Sequence, residues 1–354
     1  MTDTPAPPAP PLKDRIVQDQ PGEMPAEAGP LALFAGASPP APDWFTMAVN
    51  SPYETQFVEV EGARLHVQRW GDPRLPGLLL VHGNGAHAHW WDFIAPYFSA
   101  SYHVVALTFS GMGDSDWRER YDMAQFAREM LAVMETSGMF AAPEPPIVVA
   151  HSFGGFVTIL AGAEYGERLG GTVIVDSPVN PPKRHEVGAP RTDRRNKVYP
   201  SLERALARFR LAPPQPCENL FALDYIARWS LKRASHPETG EDGWTWKFDP
   251  SIWRRFELGR SAADCLAATR CRIAVFRGEE SALMPEHTLA YMQQLLGHEA
   301  AFVSIPHARH HVMLDQPLAF VAALRTLLGE WRHSLPRRSG PGPVTVPPAA
   351  SAGD

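Results

Sequence analysis

The spacing of apolar residues changes period several times along the 354-residue chain. "TQFVEVEG" and "ARLHVQRWG" alternate apolar and polar positions about a Glu-Gly turn, which predicts a β-hairpin. "GLLLVHG" (77–83) is a continuous apolar run stopped by glycine, the pattern of a strand buried on both faces. "YHVVALTF", "PIVVAHS", "GTVIVDS" (171–177), "CRIAVFRG" and "AAFVSIPHA" repeat that pattern. Between them "MAQFAREMLAVMETSG" (123–138), "FGGFVTILAGAEYG", "PEHTLAYMQQLLG" and "QPLAFVAALRTLLGEW" carry apolar residues at helical spacing. Strands alternating with helices predict an α/β fold, a doubly wound, mostly parallel sheet with helices on both faces. Residues 178–265 interrupt the alternation. They hold helical stretches such as "PSLERALARFRL" and "LFALDYIARWSL" and no clear buried strand, so they read as an insertion after the sixth strand.

Composition narrows the partners. The net charge of −6 excludes nucleic acid as the main partner, because such binding needs a concentrated basic face. No apolar window approaches the ~18 residues of a membrane span. The first 30 residues lack the basic start and apolar middle of a secretion signal. Cys217, Cys265 and Cys271 have no metal-type spacing, and together these features point to the cytoplasm. Much of the excess proline sits at the ends, so residues 1–43 and 334–354 are expected to be disordered tails, with "LALFAG" and "DWFTM" as apolar segments able to dock.

The candidate chemistry starts at "PIVVAHSFGGFVTIL" (146–160). A strand that turns sharply into a helix, with a serine at the turn and small residues around it, is a nucleophile elbow. The turn strains the backbone of Ser152, and Gly154 and Gly155 relieve the crowding; Ala150 stands where the usual motif has its first glycine. The N–H of Phe153 then faces an oxyanion developing on a carbonyl attacked by Ser152.

With "HGNG" (82–85), "SGMGDSD", "AHSFGG" and "HARHHVMLDQP" in this order, residues 54–332 resemble the α/β-hydrolase superfamily. The resemblance implies a core of 44–177 and 266–333, with 178–265 as a helical cap. It implies Asn84 as the second oxyanion donor. It also implies a histidine base seven residues before the proline of the last helix, which counts back from Pro317 to His310 rather than to His307 or His311. The usual acid position, after "CRIAVFRG", is Ser281. Asp176, at the end of "GTVIVDS", is the preferred acid, with Glu280 and then Glu279 as alternatives.

The activity implied is cleavage of an ester or related acyl bond, such as a thioester or lactone, in a small-molecule substrate. Carbon–carbon hydrolysis, acyl transfer or perhydrolysis, lyase chemistry and a non-enzymatic ligand receptor are the alternatives. A serine at position 152 argues against haloalkane dehalogenase and epoxide hydrolase chemistry. Residues 177–264 hold 16 Lys and Arg against 11 Asp and Glu, and "KRHEVGAPRTDRRNK" holds six of the basic ones, a basis for steering an anionic substrate. His82, His87 and His89 lack a zinc-site spacing, and no metal or cofactor is implied. The sequence sets no oligomeric state.

Overall fold

The computed structural model describes residues 28–181, 196–257, 259–297 and 300–334. Most of "KRHEVGAPRTDRRNK" and the expected tails 1–27 and 335–354 lie outside these residues.

Eight strands form one sheet: β1 (Glu54–Val60), β2 (Ala63–Trp70), β3 (Gly77–Val81), β4 (His103–Leu107), β5 (Ile147–His151), β6 (Gly171–Val175), β7 (Ile273–Gly278) and β8 (Ala301–Ile305). Their order across the sheet is β1-β2-β4-β3-β5-β6-β7-β8. The first two are antiparallel and turn through Glu61 (φ 47°) and Gly62 (φ 78°), the two left-handed residues that a tight hairpin needs. From β4 to β8 every pairing is parallel. The central strands β3 to β6 are buried at every position, as their unbroken apolar runs require.

Alternate residues feed the two faces of the sheet. Leu78, Leu80, Val104 and Val173 pack with Phe320, Leu324 and Leu328 of the C-terminal helix (Pro317–Ser334). Leu79, Val81, Val105 and Val148 pack with Phe126, Met130 and Val133 of helix Met123–Thr136 and with helix Phe153–Tyr165.

The insertion between β6 and β7 is not purely helical. It holds helices Leu202–Leu206, Leu220–Trp229 and Ala262–Ala267, and also an antiparallel hairpin, Leu231–Ser235 with Asp242–Trp246. Phe256–Glu257 adds a short parallel pairing to Tyr121–Asp122 of the core. The strand "DGWTW" alternates over only five residues, too few for its period to stand out from the helical stretches on either side.

Residues 28–43, expected within the disordered tail, are packed. A short 3-10 helix, Pro30–Phe34, buries Leu31, and the Gly29 N–H donates to Ala207 O at 2.7 Å. Helix Asp43–Val49 buries Phe45 between Phe93 of the core and Phe221 and Tyr225 of the insertion. The proline content led to a tail being expected here, but the docking expected of "LALFAG" and "DWFTM" occurs, and their buried apolar side chains offset the cost of ordering the segment.

Candidate active site

Ser152 joins β5 to helix Phe153–Tyr165 with φ 52° and ψ −118°, a conformation that L-residues rarely adopt. Neighbouring backbone holds it there: the Ser152 N–H donates to Val175 O at 2.9 Å, and Ser152 O accepts from the Gly155 N–H at 2.9 Å and from Ser177 Oγ at 2.7 Å. The glycines are required by contact. A Cβ on Gly154 would lie 2.5 Å from His82 O, and one on Gly155 would lie 2.0 Å from Ser177 Oγ. Ala150 keeps its small side chain fully buried within β5.

The loop after β8 delivers His310 to the serine. His310 Nε2 is 2.9 Å from Ser152 Oγ, and His310 Nδ1 is 2.7 Å from Asp176 Oδ2. Since a carboxylate only accepts, Nδ1 carries the proton and the Nε2 lone pair faces the serine hydroxyl. Asp176 follows β6 in a left-handed conformation (φ 50°), which turns its side chain across the end of β7. There Oδ1 accepts the Gly278 N–H at 3.0 Å, and Oδ2 also accepts the Ser281 hydroxyl at 2.6 Å. Ser281, the residue at the usual acid position, is thus a hydrogen-bond donor to the acid group from the neighbouring strand. The partly exposed Glu280 carboxylate pairs elsewhere, with Oε2 3.1 Å from Arg309 and Oε1 3.5 Å from His307. Glu279 Oε2 accepts the His307 N–H at 3.3 Å, and the His307 side chain is largely exposed.

His311 is buried against the same cluster, its ring 4.8 Å from that of His310 and 5.4 Å from that of Trp90. Burial, and then the neighbouring His310, pushes its pKa down to about 3. His151, the last residue of β5, is also buried, and its Nε2 donates to His310 O at 2.9 Å. His311 was weighed by sequence only as a competing base and His151 was not singled out; the run "HARHH" and the histidine before Ser152 were the available signals.

Asn84 sits in the glycine loop after β3, next to Gly83, where a Cβ would lie 3.2 Å from Ser152 Cβ. His82 fixes that loop: its Nδ1–H donates to Gly83 O at 2.7 Å and its Nε2 accepts the Phe109 N–H at 3.0 Å. Burial lowers the His82 pKa to about 4, which keeps this neutral tautomer. The Phe153 N–H, first in its helix, has no acceptor within that helix and carries the positive end of its dipole. A cavity of about 340 Å³ opens beside these groups, bounded by Asn84, Trp90 and His311 on the core side and by Phe209, Trp246 and Trp253 on the insertion side. His311 in its wall is the chain neighbour of His310.

Side chains fasten the insertion over this cavity. Tyr225 donates to Asp92 Oδ2 at 2.7 Å, and that oxygen also meets His89 Nδ1 at 2.7 Å. Trp229 stacks on His89, centroids 3.6 Å apart and planes 9° from parallel. His87 Nε2 donates to Ser230 Oγ at 2.9 Å, and Lys247 Nζ meets Asp114 Oδ2 at 2.6 Å. The local histidine group of the sequence therefore divides: His82 supports the loop beside Ser152, while His87 and His89 hold the insertion.

The family model described as "Alpha/beta hydrolase family" matches residues 78–324. An esterase of Mycobacterium tuberculosis is 25% identical over 288 residues, covering 79% of this chain and 91% of that protein. A monoacylglycerol lipase of Mycolicibacterium smegmatis is 24% identical over 287 residues, covering 77% and 94%. Among solved structures, the thioesterase domain from the curacin biosynthetic pathway superposes with a TM-score of 0.61 at 22% identity, covering 78% of this chain and 99% of that one. E-2-(acetamidomethylene)succinate hydrolase gives 0.62 at 19% identity, covering 78% and 100%.

Proposed function

The chain belongs to the alpha/beta hydrolase family, and from that premise we propose that it is a serine hydrolase cleaving a carboxylic ester or a related acyl bond. The observation that carries this reading is the pair of hydrogen bonds from Ser152 to His310 and from His310 to Asp176, set on a left-handed turn at the end of β5. The names of the esterase and lipase relatives support the same bond type.

In this reading Ser152 Oγ attacks the carbonyl carbon while its proton passes to His310 Nε2. Asp176 keeps the imidazole in the Nδ1–H tautomer and stabilises the imidazolium, its carboxylate fixed by Gly278 and Ser281. The N–H groups of Phe153 and Asn84 take the oxyanion of the tetrahedral intermediate. Collapse breaks the bond to the alcohol, which leaves with the proton from His310. Water then attacks the acyl-serine, gives a proton to His310, and the acid departs as the proton returns to Ser152. A serine nucleophile suits this sequence because its acyl ester keeps a carbonyl for water to attack. Opening an epoxide would instead leave a serine ether with no carbonyl.

The aromatic walls of the cavity suit an apolar acyl or alcohol group of moderate size. The excess of basic residues over 177–264, 16 Lys and Arg against 11 Asp and Glu, favours a substrate with an anionic end. Turnover of p-nitrophenyl esters of increasing chain length by wild type and Ser152→Ala is the deciding experiment. The variant is expected to lose at least about 10⁵-fold in kcat, together with fluorophosphonate labelling. Undiminished turnover in the variant overturns the reading. A kcat/KM for a charged ester that does not change with salt removes the anionic refinement alone.

A further inference from the structure

Three imidazoles converge beside Ser152. His151, His310 and His311 are all buried, and each can offer one ring nitrogen such that the three lie within 4.8 Å of one another. Their rings are in mutual contact, with centroids 4.8, 5.4 and 4.8 Å apart. Among the described residues neither nitrogen of His311 has a hydrogen-bond partner, although the residue is only 4% exposed. Such a group is costly to keep without a ligand, because its desolvation is not repaid.

The hydrogen bonds of the other two rings assign their tautomers. His310 O accepts from His151 Nε2, so His151 Nδ1 has the lone pair; the Asp176 carboxylate accepts from His310 Nδ1, so His310 Nε2 has it. Histidines that bind metals generally have their second N–H held by a carbonyl or carboxylate in this way. Gly83 keeps a side chain away from the first of these lone pairs, since a Cβ there would lie 3.0 Å from His151 Nδ1.

We propose that His151, His310 and His311 form an inhibitory site for a borderline-soft divalent cation such as Zn²⁺. Three neutral imidazoles with a fourth position filled by water or the Ser152 hydroxyl match the donor preference of that ion. Zn–N bonds of about 2.0–2.1 Å require each nitrogen to move inward by less than about 1 Å from the 4.8 Å limit. Binding takes the His310 Nε2 lone pair, so Ser152 loses its proton acceptor until the cation is removed. The inhibition rests on the hydrolase reading above, whereas the binding does not.

Two measurements on the full chain keep these apart. Visible absorption with Co²⁺ as the probe reports tetrahedral nitrogen ligation without any turnover, and Zn²⁺ inhibition of p-nitrophenyl ester hydrolysis reports the effect. His311→Leu is the test variant. It removes two unpartnered buried nitrogens, so it is expected to melt no lower than wild type, and because His311 lines the cavity its Zn²⁺ sensitivity is read relative to its own rate in chelator.

Wild type is expected to bind one Co²⁺ with intense visible bands that Zn²⁺ displaces. Its Zn²⁺ inhibition should be reversed by chelator, and His311→Leu should need at least tenfold more Zn²⁺ and lose the bands. Bands and Zn²⁺ sensitivity that persist in His311→Leu overturn the proposal and place the cation elsewhere, for example at His66, His89 and Asp114. Wild type without bands also overturns it. Cobalt binding in a wild type inert on esters leaves the site standing and removes the hydrolase reading instead.

Discussion

Backbone turns hold the sheet side of the cavity, whereas side chains hold the insertion side. Ser152 and Asp176 end parallel neighbours β5 and β6 in left-handed conformations, φ 52° and 50°, and main-chain hydrogen bonds fix both. The insertion is fastened by Tyr225 to Asp92, Trp229 on His89, His87 to Ser230 and Lys247 to Asp114. Reacting groups placed by sheet register are rigid, because moving one requires breaking the ladder. A cover held by side-chain pairs exchanges its pocket-lining residues without disturbing that register. Under the proposed hydrolase reading, the difference puts chemistry on the sheet and selectivity in the insertion.

The sharpest way to break this comparison is to ask which carboxylate serves His310. Asp176→Asn is expected to lower kcat about 10⁴-fold by imposing the wrong imidazole tautomer. Glu280→Gln, at a side chain that pairs with Arg309 and His307, should stay within about threefold, as partly exposed pairs contribute little. Steady-state kinetics of both variants, with folding checked by circular dichroism, decide it. A damaging Glu280→Gln beside a mild Asp176→Asn would move the acid from the strand end to the loop and undo the assignment.

Acidification tests the other side. Burial lowers the His66 pKa to about 4, with His89 next among the causes; Asp114 and Asp92 act oppositely and Lys247 in the same direction. Burial also places His87 well below its ordinary value, reinforced by His89, His82, Lys247 and His66. Both groups are neutral when folded and take up protons more readily when unfolded. Their contribution to stability is therefore complete above about pH 6.5 and is lost as the pH falls towards 4. Each costs roughly 1 kcal/mol per pH unit in that window. Urea unfolding at stepped pH should show this slope, and His87→Gln, at the contact with Ser230 of the insertion, should reduce it. A flat profile between pH 6.5 and 4 would mean that the insertion is not anchored on neutral histidines.

The two sides also differ in what the sequence disclosed. The turns that carry Ser152, His310 and Asn84 were legible because patterns at strand ends are local. Ser281 illustrates the limit: it stands at the usual acid position, yet its hydroxyl donates to Asp176 on the neighbouring strand, a relation visible only once β6 and β7 are paired. The hairpin Leu231–Ser235 with Asp242–Trp246 was missed, and the arm 28–43 was read as a tail with dockable segments rather than as packed structure, for the same reason. Their stability comes from partners far along the chain, such as Phe45 with Phe221 and Tyr225. Ser281→Ala sharpens the point quantitatively. Loss of one of three hydrogen bonds to the Asp176 carboxylate should lower kcat/KM about tenfold. An unchanged rate would show that Gly278 and His310 alone hold the carboxylate.

The smallest expected effect is the most informative about division of labour. Tyr225 is largely buried on the insertion helix Leu220–Trp229, and its hydroxyl supplies one of the hydrogen bonds to Asp92. Asp92 Oδ1 already lacks a partner among the described residues, so Tyr225→Phe leaves the carboxylate with less compensation. The ring itself keeps its edge contact with Phe45 at 5.8 Å, so packing survives and only the polar contact is lost. Thermal unfolding should show a loss of about 1–3 kcal/mol. The Ser152, His310 and Asp176 geometry does not depend on this contact, so kcat should hold while KM for a long-chain ester rises severalfold, as the cavity wall formed by Phe209 and Trp246 loosens. A fall in kcat equal to the rise in KM would make the cover and the reacting groups a single mechanical unit. In that case side chains, and not only sheet register, would be setting the position of His310.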